Sequence, residues 1–241
     1  NDTYVHFSFG STKAKDLNEL IQCANPPLSV ISQISLAIDC GEIVSIIGKS
    51  GCGKTTLLRI LSGIIDPTTG TVEKNYKNVG YIPQNLGLLP WRNVEENIRF
   101  PLELSKCSKL DVTDTMKLVD LEYFGHYRMN DLSGGMKQRV AIGRALVTKP
   151  DILFLDEPFR SLDEITRYTL NKELQTIWWN LKTTVVFVTH SIREAVFLSD
   201  RIIVLSDRPA KIKGEVSKKE RYSYNGVLSD LEIKVRNILF N

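Results

Sequence analysis

Cysteine is scarce and scattered in this sequence: four residues, Cys23, Cys40, Cys52 and Cys107, with no C-x-x-C pair among them. That excludes a zinc-finger pattern and a disulfide framework, and it suits a reduced, intracellular setting. Long apolar runs are missing too. None approaches the ~20 residues needed to cross a bilayer, and no signal-peptide pattern is present. Work at a membrane would therefore require other subunits to do the spanning. Charge of one sign is also in short supply, since 31 Lys and Arg against 28 Asp and Glu leave a net +3. So small an excess gives no electrostatic case for a nucleic-acid partner. There is no internal repeat or low-complexity segment.

What is present fits one large α/β domain of 241 residues, with 42% apolar and 24% charged residues. "YVHFSF" (4–9) alternates like a half-buried strand, and "ISQISLAID" (31–39) does so less cleanly. Between them "DLNELIQC" (16–23) has the spacing of a short helix. "EIVSIIG" (42–48) reads as a buried strand, "TTLLRILSG" (55–63) as a helix stopped by Gly63, and "VGYIPQ" (79–84) as another strand. Residues 85–147 read mostly helical and interrupt the strand pattern, so they are expected to form an inserted helical lobe. Strands at 151–156, 184–190 and 201–206 then alternate with helices at 164–181 and about 191–199. That rhythm predicts a mainly parallel sheet covered on both faces. The tail beyond Asp207 is charged and turn-rich, and closes on "LSDLEIKVRNILF", where Leu228, Leu231, Val235, Ile238 and Leu239 recur at helical spacing and read as a helix packed on the domain.

"GKSGCGKT" (48–55) matches G-x-x-x-x-G-K-[ST], with an apolar strand leading in and a helix leading out. Gly48, Lys49, Ser50, Gly51, Cys52, Gly53, Lys54, Thr55 and Thr56 form the candidate nucleotide loop. Gly51 and Gly53 let backbone N–H groups face phosphate oxygens, with a helix N-terminus behind them. Lys54 would contact the β- and γ-phosphates, and the Thr55 hydroxyl would bind Mg²⁺. "DILFLDEP" (151–158) brings Asp156 and Glu157 to the end of a buried strand. Successive strand residues point opposite ways, so the two carboxylates can take separate tasks. Asp156 suits Mg²⁺, held through water, and Glu157 suits orienting or deprotonating an attacking water.

His190 closes "VVFVTH", and Ser191 with Glu194 has the spacing of a capping box that starts a helix at once. His6 and His126 read as structural. Gly48, Gln84, the Asp156–Glu157 pair and His190 all fall at strand C-terminal ends, the rim on which open α/β sheets bind ligands. "SLDE" (161–164) is open to two readings. Ser161 and Glu164 fit a capping box, which makes Asp163 a plain first-turn acid, and spacing alone favours that. Trp178 and Trp179 read as packing residues. "LSGGMKQR" (132–139) is a flexible helix start by the plainest reading, yet its glycines also offer unobstructed N–H groups to a phosphate. On a separate lobe, that second grip suits a nucleotide held by another copy of the chain.

Together the P-loop, Gln84, "LSGGMKQR", "LFLDEP", "SLD" and "VTH" resemble the nucleotide-binding subunits of ABC transporters, in order and spacing from about Phe9 to Ser206. The resemblance implies a P-loop NTPase core, with an N-terminal antiparallel β portion and an inserted helical subdomain, in one ABC ATPase domain spanning 1–241. It implies ATP and Mg²⁺, and a head-to-tail dimer, of identical chains or close paralogues, that sandwiches two ATP molecules. Ser133, Gly134, Gly135 and Gln138 would then meet the partner's ATP, and Asp163 would work at the dimer seam. Gln84 would sense Mg²⁺ and the membrane subunits, and His190 would hold the γ-phosphate.

"NLGLLPWRNVEENIRFPLEL", "DEPFRSLDEITR" and "VTHSIREAVFLSDRIIVL" are similar to the importer branch for nitrate, sulfonates, taurine or bicarbonate. That implies transmembrane permease partners, indirectly a substrate-binding protein, and a peripheral position on the cytoplasmic side of the membrane. A soluble ABC ATPase serving cofactor assembly or translation is the alternative, though such proteins often carry two cassettes or extra arms. Three departures stand out. Phe9 takes the place of the usual adenine-stacking tyrosine, where a ring face suffices. Lys49 and Arg160 stand where proline and glycine are common in the branch.

Overall fold

The computed structural model describes residues 5–8, 29–105, 112–218 and 230–240. The Phe9 assignment, the 16–23 helix, Cys23, Cys107 and Leu228 lie outside them. In chain order the strands are β1 (Val5–Ser8), β2 (Ser35–Ile38), β3 (Ile43–Ile47), β4 (Thr71–Lys74), β5 (Val79–Ile82), β6 (Ile152–Asp156), β7 (Thr184–Thr189), β8 (Arg201–Leu205) and β9 (Ile212–Ser217). The helices are α1 (Lys54–Ser62), α2 (Val94–Leu104), α3 (Val112–Leu118), α4 (Gly134–Leu146), α5 (Glu164–Leu181), α6 (Ile192–Leu198) and α7 (Asp230–Phe240).

Six strands form the main sheet in the order β5-β6-β7-β3-β8-β9. The first five run parallel, and β9 returns antiparallel along β8. β3, β6 and β7 are buried along their whole length. Such double-sided burial is what a parallel strand covered by helices demands, and it explains their unbroken apolar runs. Alternation assigns the two faces. Leu153, Leu155, Val185 and Phe187 join one cluster with α2–α5, whereas Ile152, Phe154, Val186 and Val188 join another with α1 and β2. A second, antiparallel sheet has the order β2-β1-β4.

β4 and β9 escape a hydrophobic-pattern reading because they are mostly solvent-facing, "TVEK" and "IKGEVS". Between β5 and β6 the described residues form helices and no strand. Their apolar faces (Val94, Ile98, Val140, Ile142) merge with the sheet's own core rather than closing on themselves. α4 approaches the sheet closely at Gly80, where a Cβ would lie 3.0 Å from the Ala145 carbonyl oxygen.

Helix ends follow local chemistry, with a correction at the start of α5. Gly63 stops α1 in the left-handed region, as its place in the sequence predicts. For α5, however, the cap is Asp163, whose side chain accepts from the Thr166 N–H, and not Ser161. The helix starts two residues later than a Ser161 cap requires, because residues 157–162 are used in a turn. Trp178 is buried, as a packing residue should be, but Trp179 on the next position is 37% exposed. Leu231, Val235, Ile238 and Leu239 of α7 pack with α6 and β8, as their spacing predicts.

Candidate functional site

The parallel register brings the C-terminal ends of β3, β5, β6 and β7 to one edge, and a residue singled out by the sequence stands at or within two residues of each end. After β3 the chain turns through residues 48–53 into α1. Gly51 and Gly53 have φ of +77° and +121°, values that cost a side-chain-bearing residue strain. At Gly53 a Cβ would also come within 3.0 Å of Val30. Lys49, Ser50 and Gly51 form the exposed crest of the loop. Cys52 instead turns inward and is 3% exposed, packed so close to Gly48 that a Cβ there would lie 2.8 Å from its Sγ. Lys54 Nζ lies beneath the crest and donates to the carbonyl oxygens of Gly48 at 2.9 Å and Lys49 at 3.0 Å. Thr56 follows in the first turn of α1, partly buried.

The strand ending in Asp156 meets this loop directly. Thr55 Oγ1 donates to Asp156 Oδ1 at 2.8 Å across 101 residues of chain. Burial pushes the Asp156 carboxyl above the usual carboxylate range, opposed by the Thr55 hydrogen bond and reinforced by the Glu157 charge. Glu157 departs the strand in the left-handed region, φ +46°, with its N–H bound to Val188 O. The change of direction separates the two carboxylates. Asp156 faces the loop, while Glu157 Oε2 lies 3.7 Å from His190 Nδ1 and 3.3 Å from Arg160 Nη1.

His190 sits in a short turn between β7 and α6. Ser191 caps α6 by accepting from the Glu194 N–H, but the reciprocal half of the capping box is absent. Glu194 Oε2 accepts a hydrogen bond from the Thr189 hydroxyl, and Thr189 Oγ1 accepts from the Ser191 N–H in its place. Thr189, Glu194 and Arg167 each fall within a stretch the sequence singled out, but their meeting carried no signal, because it depends on how α5 packs beside α6.

Gln84, two residues beyond β5, is exposed, and among the described residues no hydrogen bond joins it to Asp156 or Glu157. The "LSGG" segment lies elsewhere on the chain, beside the start of α5. Ser133 caps α4 through the Met136 N–H, and Ser133 and Gly134 are exposed. Gly135 is buried, where a Cβ would fall 2.8 Å from Thr166 Cγ2, so this glycine is also a packing requirement. Gln138, grouped with Ser133 by sequence, is only 1% exposed: one turn into α4 its side chain points to the core instead. Two further contacts on the nucleotide loop had no sequence signal. Lys49 Nζ pairs with Asp207 Oδ2 at 2.8 Å, and Arg208 donates to Gly51 O.

The donor set suits Mg²⁺. Among the described residues no group of three or more His, Cys, Asp or Glu could hold a metal. A hydroxyl hydrogen-bonded to one buried carboxylate is instead the sparse oxygen set this ion uses when phosphates and water complete its shell.

Comparison with known proteins agrees with this arrangement. A family model described as ABC transporter matches residues 31–160. An uncharacterised ABC transporter ATP-binding protein of Methanocaldococcus jannaschii is 42% identical over 83% of this chain and 79% of its own length. A nitrate import ATP-binding protein of Synechococcus elongatus is 41% identical over 79% of this chain and 74% of its own. A taurine import ATP-binding protein of Yersinia pestis is 39% identical, with 78% of each covered. Among solved structures, an ATP-binding cassette in a dimeric, post-hydrolysis state bound to ADP and Pi superposes with a TM-score of 0.73 and 28% identity, covering 91% of this chain and all of the other. This chain belongs to the ABC transporter family and is an ATP-binding, ATP-hydrolysing cassette.

Proposed function

We propose that this cassette powers import of a small anion such as nitrate, a sulfonate, taurine or bicarbonate, as one of two ATPase subunits seated under transmembrane permease subunits. Relatives named for nitrate, aliphatic sulfonates and taurine support the substrate class. The dimeric solved relative supports the pairing. No helix among the described residues is long and apolar enough to cross a membrane, so spanning falls to the permease, with a substrate-binding protein delivering cargo. The cassette then lies on the cytoplasmic face, and residues 85–147 act as the lobe that carries Ser133–Gly135 toward the partner.

The observation that carries the reading is the Thr55–Asp156 hydrogen bond beside the Glu157–His190 approach, all on one sheet edge. Backbone N–H groups of residues 49–54 cradle the ATP phosphates, and Lys54 neutralises charge on the β- and γ-oxygens. Thr55, Asp156 and Gln84 hold Mg²⁺, which when bound screens the phosphate charge. Glu157 takes a proton from water as its oxygen attacks Pγ and the Pγ–O bond to ADP breaks. His190 hydrogen-bonds the γ-phosphate, and Ser133, Gly134 and Gly135 of the second subunit close over it. Asp163 works at the seam between the two.

The experiment is Glu157→Gln. Turnover is expected to fall by about 10²–10⁴-fold with ATP binding kept, and the ATP-bound chain is expected to elute as a dimer. Hydrolysis at the parent rate would remove Glu157 from this role. Recovery of the chain from membranes with a multi-span protein tests the transport assignment, and a soluble partner alone opposes it.

A further inference from the structure

We propose that Arg167, Glu194 and Thr189 form a partly buried positioning relay that ties the turn before α5, which carries Asp163, to the turn that carries His190. Each link is in place. Arg167 Nη2 donates to Leu162 O at 2.7 Å, one residue before Asp163. Its Nε lies 3.7 Å from Glu194 Oε1, too long for a hydrogen bond and close enough for ion pairing. Glu194 accepts from the Thr189 hydroxyl, and Thr189 accepts from the Ser191 N–H at 3.0 Å. Thr189 and Ser191 are the two neighbours of His190, so this bond fixes the backbone on both sides of the imidazole.

A helix cap alone does not account for Glu194. Ser191 already caps α6, and a capping glutamate belongs at the surface, reaching back to the cap's own N–H. Glu194 is 6% exposed, and the Thr189 hydroxyl rather than its carboxylate takes the Ser191 N–H. Burial raises its carboxyl above the usual range, countered by the Thr189 hydroxyl, the Arg167 guanidinium and His190. A buried carboxylate carries a desolvation cost, and a charge on α5 plus a hydroxyl on β7 are what offset it here. The relay also borders a cavity of about 260 Å³ between α5 and α6, lined by Arg167, Tyr168, Asn171 and Glu194 among others. Arg167 therefore has room to shift with its turn without displacing the core. Seating of the turn before α5 is in this way transmitted to the placement of His190 over Glu157.

Because this inference rests on the proposed role of His190, the experiment separates the two. Steady-state ATPase rates of the full chain are measured for Thr189→Val, Thr189→Ser, Glu194→Gln, His190→Ala and the His190→Ala/Thr189→Val double variant, with thermal unfolding to establish that each is folded. T189V is expected to lower kcat roughly ten- to a hundredfold with KM for ATP within about twofold, the pattern of lost positioning. T189S keeps the hydroxyl and recovers most of that loss. E194Q preserves size and an acceptor for Thr189 while losing the pairing with Arg167. It lowers kcat by a smaller factor, and it supplies the test should T189V not fold. In the H190A background T189V is expected to add no further loss, since the group it positions is gone. Parent-like kcat in folded T189V or E194Q overturns the relay, as does a loss that adds fully to that of H190A. H190A turning over at the parent rate overturns the role of His190 itself, whichever way T189V behaves.

Discussion

Arg160 holds a guanidinium nitrogen 3.3 Å from Glu157 Oε2, the carboxylate oxygen that also lies 3.7 Å from His190 Nδ1. The arginine is largely exposed and the glutamate mostly buried, so the pair reaches from solvent into the hydrolytic centre. A Glu157 oxygen held by Arg160 must leave that pair to reach the attacking water.

Arg160→Gly is therefore expected to raise the basal ATPase rate. An exposed ion pair contributes up to about 1 kcal/mol, so the rise should be about two- to fivefold. ATPase assays at low and high salt check it, since screening should move the parent toward the variant.

Thr55→Ala removes the hydroxyl that satisfies a 1%-exposed carboxylate. Loss of such a partner typically costs about ten- to a hundredfold in metal affinity. The Mg²⁺ concentration for half-maximal ATPase activity should rise by that factor, while Thr55→Ser stays near the parent.

Asp151 joins β5 to β6 by accepting from the N–H groups of Lys77 at 2.8 Å and Asn78 at 3.0 Å. Hydrogen bonds from Asn78 and Lys77 hold its carboxyl below the usual range. A depressed folded-state value stabilises above the unfolded value and is lost as pH falls through the folded one. Asp151→Asn should thus cost about 1 kcal/mol at neutral pH, a charged hydrogen bond discounted for exposure. Chemical denaturation should show that difference shrinking toward about pH 3, below the ordinary aspartate value.

Gly135→Ala should destabilise the fold by about 1–3 kcal/mol, because the new methyl meets Thr166 Cγ2 on a stiff, β-branched helix residue. The Gly135→Ala/Thr166→Ser double variant removes that methyl and keeps the hydroxyl, so it should recover most of the loss. Thermal unfolding of the parent, Gly135→Ala, Thr166→Ser and the double variant measures both effects apart from any change in ATP hydrolysis.

Much of this molecule was legible along the chain. The apolar runs of β3, β6 and β7, the stop at Gly63 and the glycine loop of 48–53 all follow from short-range rules of burial, capping and backbone freedom. β4 and β9 were not legible, because a strand paired at a sheet edge and facing water needs no apolar alternation. Asp163 displaced Ser161 as the α5 cap because the turn at 157–162 consumes the residues a longer helix would need.

The sequence by itself determined which chemical groups exist and which strand or helix end presents them, since periodicity, glycine and motif spacing act over a few residues. Tertiary structure alone decided which of those groups touch. Thr55 meets Asp156 across 101 residues, Arg167 approaches Glu194 between two helices, and Gln138 is turned into the core. Side-chain contact depends on how faces of different elements stack, and no local pattern encodes that stacking.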